Sequence, residues 1–317
     1  MTVHLPSALS RLTTLTSLAD RATIGRAAVS ASIPVSGSPW GVAVTPDGRK
    51  AYVACQPTNT VSVVDTLTRT VVRNPLTFGI LPTGVAMSPD GAAVYVTNRG
   101  SSTVSVLDTS TDAVTTTFHA GDNPWGVVVA PDGSALYVVN EGNGTVSMID
   151  TGSGSLVAAI PVAAFIDLVV TPDGSRLYVP DGNVTVEIAT RTVVDTVSVA
   201  AGAMFAAITP DGTTLYVTHP DSGSNNVSVV DTATASVTTT IPVQPGPTGV
   251  AVAPDSAHVY VAHYVTGPVS VIATATNTLV TEALVDDFPL MAAAGTRATR
   301  QRAAGASRGR GRTRSET

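Results

Sequence analysis

Along much of the chain, apolar residues alternate with small polar residues in short runs. Segment 104–109, for example, reads Val-Ser-Val-Leu-Asp-Thr, and similar runs occupy 61–66, 146–151, 184–190, 227–232 and 269–274. A period of two residues is typical of strands that bury one face. Aromatic residues make up only 4% of the chain, so Val, Ala, Ile, Leu and Thr must fill the core. Because β-branched residues favour strands, we predict an all-β protein.

A recurring turn divides these runs into repeats. Pro-Asp-Gly, with one Pro-Asp-Ser variant, begins at Pro46, Pro89, Pro131, Pro172, Pro210 and Pro254, which gives spacings of 43, 42, 41, 38 and 44 residues. Proline presets its φ angle, Asp bonds within its own turn and Gly accepts a positive φ, so the tripeptide is typical of a hairpin turn. Repeats of about this length, built from short strands, indicate the blades of a β-propeller.

The repeats resemble those of the YVTN-type β-propeller repeat proteins. Tyr95-Val96-Thr97-Asn98 matches the element that names this family. Segment 39–48 reads Pro-x-Gly-Val-Ala-Val-x-Pro-Asp-Gly and segment 61–66 reads Val-Ser-Val-x-Asp-Thr, which match the surrounding elements. The resemblance covers about residues 33–285 and implies four-stranded antiparallel blades. For many propellers of this type it also implies a binding role.

We predict seven blades, with six as the alternative. Six clear repeats occupy 37–287, and residues 1–36 are interpreted as a degenerate N-terminal repeat or as a closing strand. Aligning Pro6 with the later turn prolines favours the additional repeat. With six blades, the N-terminal strand would instead close the ring against the last blade. Closure matters because an open ring exposes strand edges to aggregation.

The composition excludes several kinds of protein. Cys55 is the single cysteine of 317 residues, so an internal disulfide and a multi-cysteine metal site are both excluded. No run of about 18 apolar residues occurs, so we expect no membrane-spanning helix. The N-terminus also lacks the basic-then-apolar order of a secretory signal. We therefore expect a monomer in the cytoplasm.

The net charge of -6 combines two parts of opposite sign. Segment 297–317 holds seven arginines and one acid, a charge of +6, so the other 296 residues carry -12. We predict that residues 288–317 form an Arg-rich disordered tail. Such tails can bind nucleic acid by counterion release. This one lacks interleaved aromatic residues and the acidic body repels phosphate, so we do not expect nucleic acid as a partner.

Residues shared by all repeats maintain the blades, so a binding site is sought where the repeats differ. Six tyrosines belong to the repeat itself. The unexplained aromatic residues that map to loops after the second and fourth strands are Trp40, Trp125, Phe165, Phe205 and Tyr264. In a propeller these loops share one face, here called the top face. Aromatic walls with a few polar groups are the usual composition of a small-molecule site, so we predict a ligand pocket there.

Polar residues vary at two further positions. The last position of the Tyr-Val-x-Asn element is Cys55, Asn98, Asn140, Asp181, His219 and His263 in successive repeats. We assign Asn98, Asn140 and the neighbouring Glu141 to ligand binding. Asp181, His219 and His263 are candidates for catalysis, together with Asp167, which replaces a glycine at the channel mouth. Imidazole and carboxylate suit zinc, so a divalent metal is a further candidate if these side chains converge. No motif indicates another cofactor.

The sequence is consistent with two functions. The first is a binding scaffold that presents the top-face pocket to a protein or a small molecule. The second is an enzyme, because propellers of similar architecture include lactone hydrolases and lyases. There Asp and His groups at the channel mouth would act as bases or metal ligands.

Overall fold

The computed structural model describes residues 11–12, 33–77, 79–162, 166–220 and 225–284. These residues form six four-stranded antiparallel sheets, in each of which every strand pairs with its neighbours in the sequence. Strands β1 (Arg11–Leu12) and β2 (Ile33–Pro34) form a separate two-stranded sheet. Each four-stranded sheet corresponds to one repeat and is called a blade.

The first three blades are regular. Blade 1 contains β3 (Pro39–Val44), β4 (Lys50–Cys55), β5 (Thr60–Asp65) and β6 (Thr70–Thr77). Blade 2 contains β7 (Pro82–Met87), β8 (Ala93–Asn98), β9 (Thr103–Asp108) and β10 (Ala113–His119). Blade 3 contains β11 (Pro124–Val129), β12 (Ala135–Asn140), β13 (Thr145–Asp150) and β14 (Leu156–Pro161). A short 3-10 helix, Arg99–Ser101, follows β8.

Blade 4 has the shortest strands, and blades 5 and 6 become longer again. Blade 4 contains β15 (Val169–Val170), β16 (Arg176–Val179), β17 (Val184–Glu187) and β18 (Thr192–Thr196). Blade 5 contains β19 (Phe205–Ile208), β20 (Thr214–Thr218), β21 (Asn226–Asp231) and β22 (Ser236–Pro242). Blade 6 contains β23 (Pro247–Val252), β24 (His258–His263), β25 (Pro268–Ala273) and β26 (Thr278–Leu284).

The blades pack in sequence order through their first strands. Strand β3 contacts β7, β7 contacts β11, β11 contacts β15, β15 contacts β19, and β19 contacts β23. This arrangement confirms the predicted all-β propeller with four-stranded antiparallel blades. The described residues form six blades, which is the alternative count and not the preferred count of seven.

The predicted terminal segments lie mostly outside the described residues. From the segment 1–36, Ile33 and Val35 are buried and pack against Ala51 and Val53 of blade 1. The predicted tail 288–317 falls entirely outside the described residues. Within the described part of the chain, no helix has the length and hydropathy that a membrane span requires.

The repeated turn is held by its own polar groups. In blade 1, the Thr45 hydroxyl donates to Asp47 Oδ1 over 2.6 Å, and the same oxygen accepts the Arg49 N–H over 3.0 Å. Gly48 closes the turn with a φ of +70°, a conformation that favours glycine. The turn therefore joins β3 to β4 at the end of the blade opposite the top face.

Five of the six repeat tyrosines are buried, and three of them bond to the neighbouring blade. The Tyr52 hydroxyl donates to Asp112 Oδ1 of blade 2 over 2.7 Å, and the Tyr216 hydroxyl donates to Asn277 Oδ1 of blade 6 over 2.7 Å. Buried tyrosine hydroxyls require such partners, because an unpaired polar group in the core is costly. These residues stabilise the ring and leave the top face to other side chains.

Candidate functional site

Two tryptophans meet at the top of the innermost strands. Trp40 lies near the start of β3 in blade 1, and Trp125 lies near the start of β11 in blade 3. Their ring centroids are 5.2 Å apart and the planes are inclined by 66°, an edge-to-face contact. Both side chains are only partly buried. The sequence prediction that these two residues share one face therefore corresponds to direct contact in the structure.

A pair of opposite charges completes the group. Arg99 follows β8 and Glu141 follows β12, so the two occupy the same position in adjacent repeats. Arg99 Nη2 lies 2.6 Å from Glu141 Oε2, and the indole N–H of Trp125 donates to the same oxygen over 2.7 Å. The guanidinium carbon of Arg99 stands 4.6 Å from the centroid of the Trp125 ring. Trp40, Trp125, Arg99 and Glu141 are together called the top-face cluster.

Sequence reasoning included three members of this cluster and missed Arg99. The available signal was the residue that follows each Tyr-Val-x-Asn element. That residue is Gln56, Arg99, Glu141, Gly182, Pro220 and Tyr264 in successive repeats. Opposite charges at one repeat position in adjacent blades predict an ion pair across the blade boundary, since that position recurs at the same place in every blade.

Arg99 is held by modest interactions. The Arg99 and Glu141 side chains are 31% and 34% exposed, and ion pairs near the surface contribute about 0–1 kcal/mol. A partly exposed cation–π contact adds about 0.5–1 kcal/mol. Arg99 Nε is buried and has no hydrogen-bond partner among the described residues, which costs about 1–3 kcal/mol. Because these effects nearly cancel, the cluster holds this cation only weakly.

The charge of the top face is negative around the cluster. Among the described loops after the second and fourth strands, Arg99 is the single Lys or Arg residue, whereas these loops carry Asp122, Glu141, Asp167 and Asp181. Such a surface attracts cationic ligands and repels anionic ones.

Asp167 occupies a position that is glycine in blades 1 to 3. A Cβ atom on Gly84 would lie 2.3 Å from the Trp125 carbonyl oxygen, and one on Gly126 would lie 2.6 Å from the Ile166 carbonyl oxygen. Glycine is therefore required there by the close approach of the next blade. At Asp167 the side chain instead reaches across to blade 5, where Oδ2 accepts the Ala206 N–H over 3.1 Å.

The Asp167 carboxyl titrates far above its ordinary range. Burial is the main cause that raises the pKa of Asp167, the nearby Asp181 carboxylate adds to the rise, and the resulting value is about 7. The backbone N–H groups of Ala206 and Leu168 oppose this effect. Asp167 as a whole residue is partly exposed, whereas its carboxyl group is surrounded by protein atoms. Asp181 Oδ2 accepts the Ile166 N–H over 3.1 Å. Both carboxylates therefore lie near the residues that precede the first strand of blade 4.

The two histidine candidates lie inside their own blades. Both are fully buried. His219 Nε2 is 2.8 Å from Ser228 Oγ in blade 5, and His263 Nε2 is 2.9 Å from Ser270 Oγ in blade 6. Burial lowers the pKa of His219, and it lowers the pKa of His263 to about 4. Both imidazoles are therefore neutral near pH 7 and contact residues of their own sheets.

The equivalent asparagines make the same contact. Asn98 Nδ2 donates to Ser105 Oγ and Asn140 Nδ2 donates to Ser147 Oγ, each over 2.9 Å. Cys55 Sγ lies 3.8 Å from Ser62 Oγ, and burial raises the pKa of the Cys55 thiol to about 11. This repeat position therefore joins the second strand to the third strand of a blade. The structure does not place Asn98 or Asn140 in the top-face cluster.

The other aromatic candidates are dispersed. Phe205 is 6% exposed and packs in a hydrophobic cluster with Tyr216 and Val250, so its ring is part of the core between blades 5 and 6. The Tyr264 ring lies against Gly246 in the loops of blade 6. Phe165 lies outside the described residues. Of the predicted aromatic walls, the structure brings together Trp40 and Trp125.

The candidate metal ligands do not form a metal site. Within the described ranges, no group of three or more His, Cys, Asp or Glu side chains is arranged to hold a metal ion. His219 directs Nε2 toward Ser228 in blade 5, and His263 directs Nε2 toward Ser270 in blade 6. The residues present therefore do not fit the divalent cation that the sequence suggested.

Comparisons with known proteins agree with the fold. A family model described as "Lactonase, 7-bladed beta-propeller" matches residues 38–160, which span blades 1 to 3. Among solved structures, "Kuenenia stuttgartiensis Hydrazine Synthase" is similar with a TM-score of 0.67 and 26% identity, over 74% of this chain and 76% of that chain. A search of the curated proteins found no match. These likenesses support a β-propeller.

Proposed function

We propose that this chain is a binding propeller of the YVTN-repeat type that recognises its ligand at the top-face cluster. The observation that carries the proposal is the partly exposed contact of Trp40 with Trp125, bordered by the charged pair Arg99 and Glu141. The ligand is a small molecule or a side chain of a protein partner. Aromatic faces supply contact area, and the charged groups supply orientation and specificity.

The composition of the chain supports this assignment. The chain contains two tryptophans, and both belong to the cluster. The other aromatic residues of the described repeats are largely buried tyrosines, such as Tyr52 and Tyr178, that pack within and between the blades. Since the blade needs no tryptophan, a ligand explains why this residue type occurs at the channel mouth of blades 1 and 3.

Intrinsic fluorescence tests the proposal, because all tryptophan emission comes from the cluster. We expect at least one of three probes, choline, benzoate or δ-valerolactone, to change the emission in a saturable manner. Trp40→Ala retains Trp125 as reporter and should weaken that affinity at least tenfold. Leu67→Ala, a change of an exposed side chain at the opposite face, should have no effect. Absence of saturable change with every probe, or an unchanged affinity in Trp40→Ala, would refute the proposal.

Lactone hydrolysis is the second candidate. The matching family model is described as a lactonase, and Asp167 has a pKa of about 7 at the channel mouth. A carboxylate with that pKa suits a general base near neutral pH. Asp167 would accept a proton from water as the water oxygen bonds to the lactone carbonyl carbon. The ring C–O bond then breaks, and the alkoxide takes up the proton.

An assay of δ-valerolactone hydrolysis, in which the released protons are measured, tests the second candidate. We expect kcat/KM to rise with pH through about 7 as Asp167 ionises. Asp167→Asn should lower kcat/KM about 100-fold or more. Asp195→Asn, an exposed change in the same blade, is the control and should retain wild-type activity. If the wild-type protein hydrolyses δ-valerolactone no faster than buffer alone, lactone hydrolysis is excluded. The binding proposal is not affected by that result.

A further inference from the structure

We propose that the top-face cluster binds a small organic cation, such as a quaternary ammonium ion, and that Arg99 occupies this site as an internal competitor. The inference rests on the proposed binding function of the same four residues. It adds the chemical class of the ligand and a self-occupied state of the site.

The contacts of Arg99 define what the cluster recognises. Its guanidinium lies over the Trp125 ring at 4.6 Å, with the Glu141 carboxylate 2.6 Å from Nη2. Trp40 adds a second ring at 5.2 Å from the first. Aromatic rings combined with a carboxylate are the groups with which proteins bind quaternary ammonium ions. The cluster therefore already binds a cation, and that cation is part of the chain.

The surrounding charge favours a cation over an anion. Without the Arg99 head group, the described top-face loops would carry Asp122, Glu141, Asp181 and the partly ionised Asp167, and no Lys or Arg residue. The backbone at Asp122 adjoins the Glu141 side of the cluster, where its carbonyl oxygen accepts the Gly142 N–H over 3.0 Å. An external cation would thus enter a negative site, whereas an anion would be attracted by Arg99 alone.

Arg99 is able to leave the site. Its side chain is 31% exposed, so rotation of the side chain carries the guanidinium into solvent without a change of the backbone. Its buried Nε has no partner among the described residues and would gain one from water outside the cluster. Glu141 and Trp125 remain bonded to each other through the indole N–H, which preserves the vacated surface.

Removal of the internal competitor tests the proposal. Choline binding to the full chain is followed by tryptophan emission in the wild type and in Arg99→Ala. We expect choline to bind Arg99→Ala about twofold or more tightly than the wild type, because a competitor whose contacts nearly cancel occupies the site about half of the time. The neutral isostere 3,3-dimethyl-1-butanol should bind neither protein, because the site recognises charge. Arg191→Ala removes an exposed cation from the opposite face and should bind choline as the wild type does.

A second substitution tests whether the gain in choline affinity depends on the Glu141 carboxylate. Arg99→Ala combined with Glu141→Gln should lose most of the gained affinity, and circular dichroism verifies that each variant is folded. Equal choline affinity in the wild type and Arg99→Ala, or equal binding of the isostere, would overturn the proposal. If benzoate binds the wild type and Arg99→Ala abolishes that binding, the ligand class is wrong while the proposed binding function survives. If no probe binds any folded variant, both fail.

Discussion

At the scale of single residues, one repeat position accepts three different side chains for the same task. Asn98, Asn140 and His263 each bond to the serine of the neighbouring strand at 2.9 Å. Cys55 occupies the position in blade 1. Asparagine takes up no proton, whereas histidine can. Protonation of the buried imidazole would place a charge in the core. The histidines therefore make the stability of blades 5 and 6 sensitive to pH.

The stability of blade 6 changes with pH in a defined direction. The pKa of His263 is lowered to about 4 in the folded chain from an ordinary value of 6.5. Between these values the unfolded chain binds a proton that the folded chain does not. Stability is therefore fully present above pH 6.5 and falls as the pH decreases toward 4. We expect His263→Asn to remove about 3 kcal/mol of this decline, measured by urea unfolding at several pH values.

The control for the His263→Asn measurement is a histidine that folding does not bury. His119 lies at the exposed end of β10, so His119→Asn should retain the wild-type decline. A decline in His263→Asn as large as that of the wild type would show that this imidazole is not responsible for the pH dependence.

At the scale of strands and turns, much of the fold could be predicted. Pro-Asp-Gly and the period of two residues predicted the four strands of each blade, because turn chemistry and one-sided burial act locally. Blade 4 departs from the pattern, with β15 reduced to Val169–Val170. There the glycine that allows close approach of the next blade is replaced by Asp167, whose side chain bonds to the Ala206 N–H instead. The length of a strand thus depends on contacts between blades, which no single repeat contains.

Less of the candidate site than of the fold could be predicted from the sequence. Strand β8 is buried on both faces from Val94 to Asn98, so its last position lies inside the blade stack. Mostly apolar residues also precede Asn140, His219 and His263, so the sequence indicates the same burial at those positions. Arg99, in contrast, lies just beyond the strand. Its contact with Glu141 crosses a blade boundary, so only the relative placement of two repeats reveals it.

At the scale of the whole molecule, the repeated turns add a second response to acid. Hydrogen bonds from neighbouring hydroxyl and backbone N–H groups lower the pKa of nine turn carboxylates. These belong to Asp47, Asp65, Asp90, Asp108, Asp132, Asp150, Asp173, Asp211 and Asp231. Each contributes stability that is present above its unfolded value of 3.8 and is lost as the pH falls through the folded value. Because all nine contributions are lost on the acid side of 3.8, unfolding should become steeper below pH 4.

Asp108 is the most informative of the nine. Its Oδ1 accepts bonds from the backbone and hydroxyl groups of both Ser110 and Thr111, and its pKa is lowered to about 2. Asp108→Asn removes this titration, so we expect a smaller loss of stability between pH 3.8 and 2 in urea unfolding at constant ionic strength. Ser110→Ala keeps the charge and removes one donor, so its loss should be intermediate. If both variants follow the wild-type curve, the turn carboxylates do not govern acid unfolding, and the decline must come from other groups of the propeller.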